Sequence, residues 1–122
     1  MEVNIITTKG FEKNLKKFSN QEQTSIEKKM DFLVDLKRRG ESAGQYLQKI
    51  RTIGSGDPSD ITVYTLRVNM DTRIFLTSES NAIENEHTIT FLTVVHSKDL
   101  DKAINGISES LYQSVKHGDG EE

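Results

Sequence analysis

The apolar residues of this 122-residue chain change their period twice, and that change limits the available folds more than any single motif. In the first third they recur at helical spacing. Phe11, Leu15 and Phe18 fall at i, i+4 and i+7, and Ile26, Met30, Leu33 and Leu36 make a second stripe. Beyond Gly44 the period becomes two, and from Asp99 it is helical again, with Leu100, Ala103, Ile104, Ile107, Leu111 and Val115 on one side. A helical stripe cannot lie in a sheet, so each change of period marks an element boundary.

Local signals sharpen these boundaries. Val3 to Ile6 is β-branched and reads as a strand, and Thr7 or Thr8 can cap a helix beginning near Lys9. Ser19-Asn20-Gln21-Glu22 has capping-box spacing, which predicts a second helix that Gly40 ends. Strands are expected around Leu47 to Arg51, at Ile61 to Val68, at Thr72 to Thr77 and at Thr88 to Val95. Gly54 to Asp60 is a dense loop signal, and Ser78 to His87 reads as a polar, acidic loop. The run ITFLTVV is apolar on both faces, as in a covered sheet. The predicted order is β-α-α-β-β-β-β-α: an α+β fold with a helical hairpin packed on a mainly antiparallel sheet and a C-terminal helix. One domain is expected over residues 1–116, followed by a disordered acidic tail over 117–122.

The net charge of −3 is unevenly distributed. Lys9 to Arg51 holds eleven bases and six acids, whereas from Thr52 onward there are five bases and twelve acids. The helical hairpin therefore carries a lysine-rich face, which serves either for solubility or for an anionic partner. The chain has no cysteine, so thiolate chemistry and disulfides are excluded. It contains no phosphate-loop, dinucleotide or HExxH motif, which leaves no case for a metal or cofactor. The N-terminal segment lacks the basic and apolar regions of a signal peptide, and no run has membrane-spanning length, so a cytoplasmic protein without membrane contact is expected. Ser78 and Ser97 show no recognisable elbow or partner.

The most informative stretch is the hairpin Tyr64 to Leu76. Pairing Val68 with Thr72 sets Leu66 against Ile74 and Tyr64 against Leu76 on one apolar face, and sets Arg67 directly opposite Arg73. Facing like charges are unfavourable unless an anion lies between them, and guanidinium groups match phosphate oxygens. The alternatives are local pairing with Asp71 or Glu79, or a shifted register. Lys49 and Arg51 alternate with Gln48 and Ile50, so both point to one face of a strand expected beside the hairpin, which enlarges the basic patch. His96 ends the last strand. It is the residue type able to exchange protons near neutral pH, although a histidine at a strand end is more often a surface or capping residue.

The segments QKIRT, YTLRVNMDTRIFL and TFLTVVHSKDL, preceded by a lysine-rich helical hairpin, resemble the RelE/ParE superfamily of bacterial toxins from type II toxin-antitoxin systems. The resemblance spans roughly Val3 to Ile104. It implies a compact, metal-independent endoribonuclease that cleaves mRNA on the ribosome and is neutralised by a cognate antitoxin protein. On that resemblance Arg73, Arg67 and His96 are catalytic. Arg73 stabilises charge on the scissile phosphate and His96 moves the proton, while Lys49, Arg51 and Lys98 bind RNA phosphates. Val63 and Thr65 stand where the lysine-rich branch carries two lysines. The resemblance therefore also admits a ParE-like toxin that binds a target such as DNA gyrase without cutting RNA, or a degenerate, non-catalytic member.

Overall fold

The structure, a computed structural model, describes residues 2–53 and 61–106, with only the backbone at 51–53. The expected loop 54–60, the C-terminal helix beyond 106 and the acidic tail lie outside the described residues. The elements run β1 (Glu2–Thr7), α1 (Lys9–Leu15), α2 (Asn20–Arg38), β2 (Leu47–Ile53), β3 (Ile61–Asn69), β4 (Thr72–Asn81) and β5 (Glu86–His96). Short 3-10 turns precede β2 and follow β5, and residues 100–106 are helical. The architecture is α+β, as expected, and the five strands keep their expected sequence; the helical elements differ slightly, because 3-10 turns at Gly44–Tyr46 and Ser97–Asp99 were not part of the expected order.

Both helix starts follow from their caps. The Thr8 hydroxyl accepts from the Phe11 amide at 3.0 Å and donates to the Leu92 carbonyl at 2.8 Å, which anchors the start of α1 to β5. Ser19 and Glu22 form the reciprocal capping box that starts α2, and these bonds hold the Glu22 carboxyl below its usual pKa. Gly40, with φ of 73°, stops α2. Its amide donates to the Lys37 carbonyl, and the Glu41 amide reaches the Leu36 carbonyl at 2.9 Å, a Schellman closure. α1 ends before Phe18, so the third member of its apolar stripe is buried from the connection rather than from the helix.

The sheet is mixed, in the order β1-β5-β4-β3-β2, with β1 parallel to β5 and the remaining pairs antiparallel. Phe11, Ile26 and Leu33 pack onto Leu66, Ile74, Leu76, Ile89, Phe91 and Val94. Burying a side chain of this size contributes about 1.5–3 kcal/mol. Burial on both faces is strongest in central β4 rather than in β5: Ile74, Phe75 and Leu76 are consecutive and all inaccessible. β5 instead alternates along most of its length. The expected loop from Ser78 to His87 is largely strand, because the β4–β5 ladder continues to Asn81 and Glu86 and leaves only a four-residue turn with Asn85 at φ of 54°. No helix among the described residues is long and apolar enough to cross a membrane.

Candidate functional site

At the β3–β4 turn the ladder pairs Leu66 with Ile74 and Arg67 with Arg73, as the apolar pattern requires. The pairing of Val68 with Thr72 does not occur. The register shifts at Val68, and Asn69 faces Thr72 instead. This bulge shortens the turn to Met70-Asp71, where the Asn69 side chain accepts from the Asp71 amide at 2.8 Å. The Arg73 guanidinium folds toward the same turn and donates through Nη1 to the Asn69 carbonyl at 2.8 Å and the Thr72 carbonyl at 3.2 Å.

Among the described residues no carboxylate neutralises either arginine. Among the described residues the only ion pairs join Arg39 to Asp35 and to Glu41. Asp71 and Glu79 are therefore not the partners of the arginine pair. Arg67 is exposed, and its side chain makes no hydrogen bond among the described residues. Two carbonyls aim one guanidinium while leaving its remaining donors available, and the second cation stands beside it. A groove of about 390 Å³ opens here, lined by both arginines together with Lys29, Gln45, Gln48 and Thr65. Three cationic groups and two amides suit an anion that can accept several hydrogen bonds.

His96 is paired with Thr72, whereas Arg73 is paired with Val95. Adjacent rungs leave a pleated sheet on opposite faces, so the structure does not bring His96 into the arginine groove. Its ring lies 4.7 Å from that of Phe18 on the helix side. There it lines a separate cavity of about 440 Å³ with Asn14, Lys17, Phe18 and Lys102. The two sites still share the rim of the turn. Ser97, next to His96, donates from its amide to the Asp71 carbonyl at 2.8 Å and from its hydroxyl to the Met70 carbonyl at 3.0 Å. Lys98 follows, exposed in the 3-10 turn.

The other expected contributors are dispersed. Lys49 is exposed and registers with Tyr64, while Arg51 registers with Val63, because Ile50 is a bulge. The simple alternation that would set Lys49 and Arg51 on one face is broken at that residue. Val63 and Thr65, which replace the lysines of the resembling branch, are 2% and 3% exposed. An ammonium group at either position would lose its hydration without a partner, so their apolar or neutral character follows from burial.

One polar cluster has no counterpart in the sequence reading. His87 is 5% exposed, and both ring nitrogens are engaged: Nε2 with the Ser78 hydroxyl, and Nδ1 with the Ser80 hydroxyl at 2.9 Å. Ser78 thus has a histidine partner after all. Burial, and then the nearby Lys37 charge, push the His87 pKa down, so the neutral ring is favoured. The signal was the alternation Ser78-Glu79-Ser80 opposite His87, visible only if that stretch is strand.

Among the described residues no three of His, Asp and Glu converge as metal ligands would. Neither the family models nor the curated proteins compared with this chain return a match. The fold and site together define an α+β protein with a paired-arginine groove at one turn of its sheet.

Proposed function

We propose that this chain is a toxin of the RelE/ParE type that acts on RNA, with Arg67 and Arg73 clamping a backbone phosphate. The observation that carries the reading is the pair itself: two arginines directly opposed across a ladder, with no carboxylate among the described residues paired to either. Opposed like charges destabilise an empty sheet and become favourable once a phosphate bridges them. Gln48 and Lys29 widen the cradle for a polymer rather than a single ion. In the endoribonuclease form of this reading, Arg73 stabilises charge developing on the phosphate. That form requires the RNA strand to cross the rim formed by Ser97 and the Met70–Asp71 turn, so that His96, on the other face, meets the ribose 2'-hydroxyl or the leaving oxygen. The proposal includes a cytoplasmic site of action, the ribosome as the setting for cleavage and a cognate antitoxin that covers the groove.

A second reading has its own support. His96 and Arg73 leave the sheet on opposite faces, which favours a ParE-like toxin that grips its target without cutting RNA. Induced expression separates the two. Growth arrest with new mRNA 5' ends, both lost in Arg73→Ala and in His96→Ala, supports cleavage. Arrest that survives His96→Ala, with no new 5' ends, supports binding alone. Arrest unchanged in Arg73→Ala removes the groove from either account.

A further inference from the structure

The sheet has one edge whose features the groove does not explain. β1 is the outermost strand on the side away from β2, and it carries Ile5 and Ile6 at 45% and 49% exposure. Edges are normally blunted with lysine, proline or a bulge, and β1 (EVNIIT) has none of these. The Glu2 amide donates to the Asn85 carbonyl and the Thr8 amide to the Phe91 carbonyl, both toward the β5 side. By strand alternation the amides and carbonyls of Val3, Ile5 and Thr7 point outward, ready to pair with another strand.

Beside this edge lies a groove lined by Ile5 and, from α2, by Asp31, Phe32, Val34, Asp35 and Arg38. Ile5, Phe32 and Val34 supply its apolar lining, and its charges are ordered. Asp35 is engaged by Arg39 at 3.1 Å, whereas Asp31 and Arg38 are exposed and make no ion pair among the described residues. They lie on either side of the Val34–Asp35 step, which adjoins Ile5 in the same groove.

We propose that this face is a homodimer interface and that its occupant is the β1–α2 face of a second copy of this chain. A two-fold axis through Ile5, normal to the sheet, sets Ile5 against its own copy and Val3 against Thr7 of the other chain. All three residues with outward backbone groups are then used as hydrogen-bonded pairs. The same axis runs the two α2 helices antiparallel, so Asp31 of each meets Arg38 of the other. The patch is thus self-complementary in backbone, in apolar surface and in charge, as an isologous interface must be. The arginine groove, on β3 and β4, stays open in both copies.

Sedimentation equilibrium of the purified full chain tests this. The wild type dimerises. Arg38→Asp and Asp31→Arg, each of which places like charges at both ends of the interface, weaken the dimer at least tenfold, and the double exchange restores it. Both sites are exposed, and circular dichroism confirms that each variant is folded. A wild type that remains monomeric at ~0.1 mM, where even weak association is populated, overturns the proposal. So do single and double exchanges that behave alike. Protection of the Ile5 amide only when a different protein is bound assigns the edge to that protein and overturns it as well. None of these readouts depends on RNA or on growth arrest, so the interface and the proposed function fail separately.

Discussion

The helix-facing side of β5 carries a histidine near each end, and the two have opposite fates. His87 is buried, with a serine hydroxyl on each ring nitrogen and a pKa held down by burial and by Lys37. His96 is only partly buried, and its ring lies against that of Phe18 and makes no hydrogen bond among the described residues. At the His87 end the polar groups are consumed by one another, and such a cluster holds strands in register. At the His96 end they are left over: an opposed arginine pair, an unbonded imidazole and exposed Lys98, gathered around one turn. Satisfied polar groups report on folding, and unsatisfied ones report on a ligand.

That contrast can be broken by substitution, beginning with the largest effect. Replacing Arg73 with Ala is expected to reduce activity by about 10²–10³, the cost of removing one donor aimed at a developing charge. Thermal unfolding of the same variant is expected to stay near that of the wild type, because the side chain is only partly buried and bonds only to carbonyls. Fluorescence anisotropy with labelled RNA gives the companion measurement. Each arginine removed is expected to lower the salt slope of binding by about one. A large loss of stability in Arg73→Ala would make the pair a structural feature.

His87→Ala should behave in the opposite way. It leaves Ser78 and Ser80 without their partner and opens a cavity where the buried ring stood, at an expected cost of about 2–4 kcal/mol in denaturant unfolding with RNA affinity unchanged. Next in size is a pH effect. The folded-state pKa of His87 lies below its unfolded value of about 6.5, so well above that pH neither state is protonated and the residue contributes no pH dependence. As pH falls below that value the unfolded chain takes up a proton that the native ring refuses. Stability then declines by up to ~1.4 kcal/mol per pH unit until the native value is reached. His87→Asn is expected to flatten this slope in urea titrations between pH 7 and pH 5. The smallest effect lies away from both histidines. Ser19→Ala removes the α2 cap and is expected to cost about 1 kcal/mol, which calibrates how much general destabilisation alters RNA affinity.

How much of this was legible in the sequence depended on the range of the signal. Capping at Ser19 and Glu22, the stop at Gly40 and the opposition of Arg67 and Arg73 follow from residues a few positions apart. The Ser78–Ser80–His87 cluster was not legible. Serine, glutamate and asparagine are poor strand formers, and the ladder to β5 overrides that preference. The bulges at Ile50 and Val68 left no mark either. A bulge conserves composition while it changes which residues share a face, and so the basic patch expected at Lys49 and Arg51 lost its alternation.

The sequence by itself determined the order of the five strands, the caps of the first two helices and the register of the central hairpin from Tyr64–Leu76 to Arg67–Arg73, short of the bulge at Val68. Those properties arise from local hydrogen bonding and from apolar period, which a linear string encodes directly. Only the tertiary structure decided that His96 and Arg73 leave the sheet on different faces, that Val63 and Thr65 are too deep for cations, and that β1 stands as an open edge beside α2. Faces, depth and edges depend on which strands become neighbours. Pairing of β1 with β5, some eighty residues apart, is set by the burial of the whole core rather than by any short run of residues.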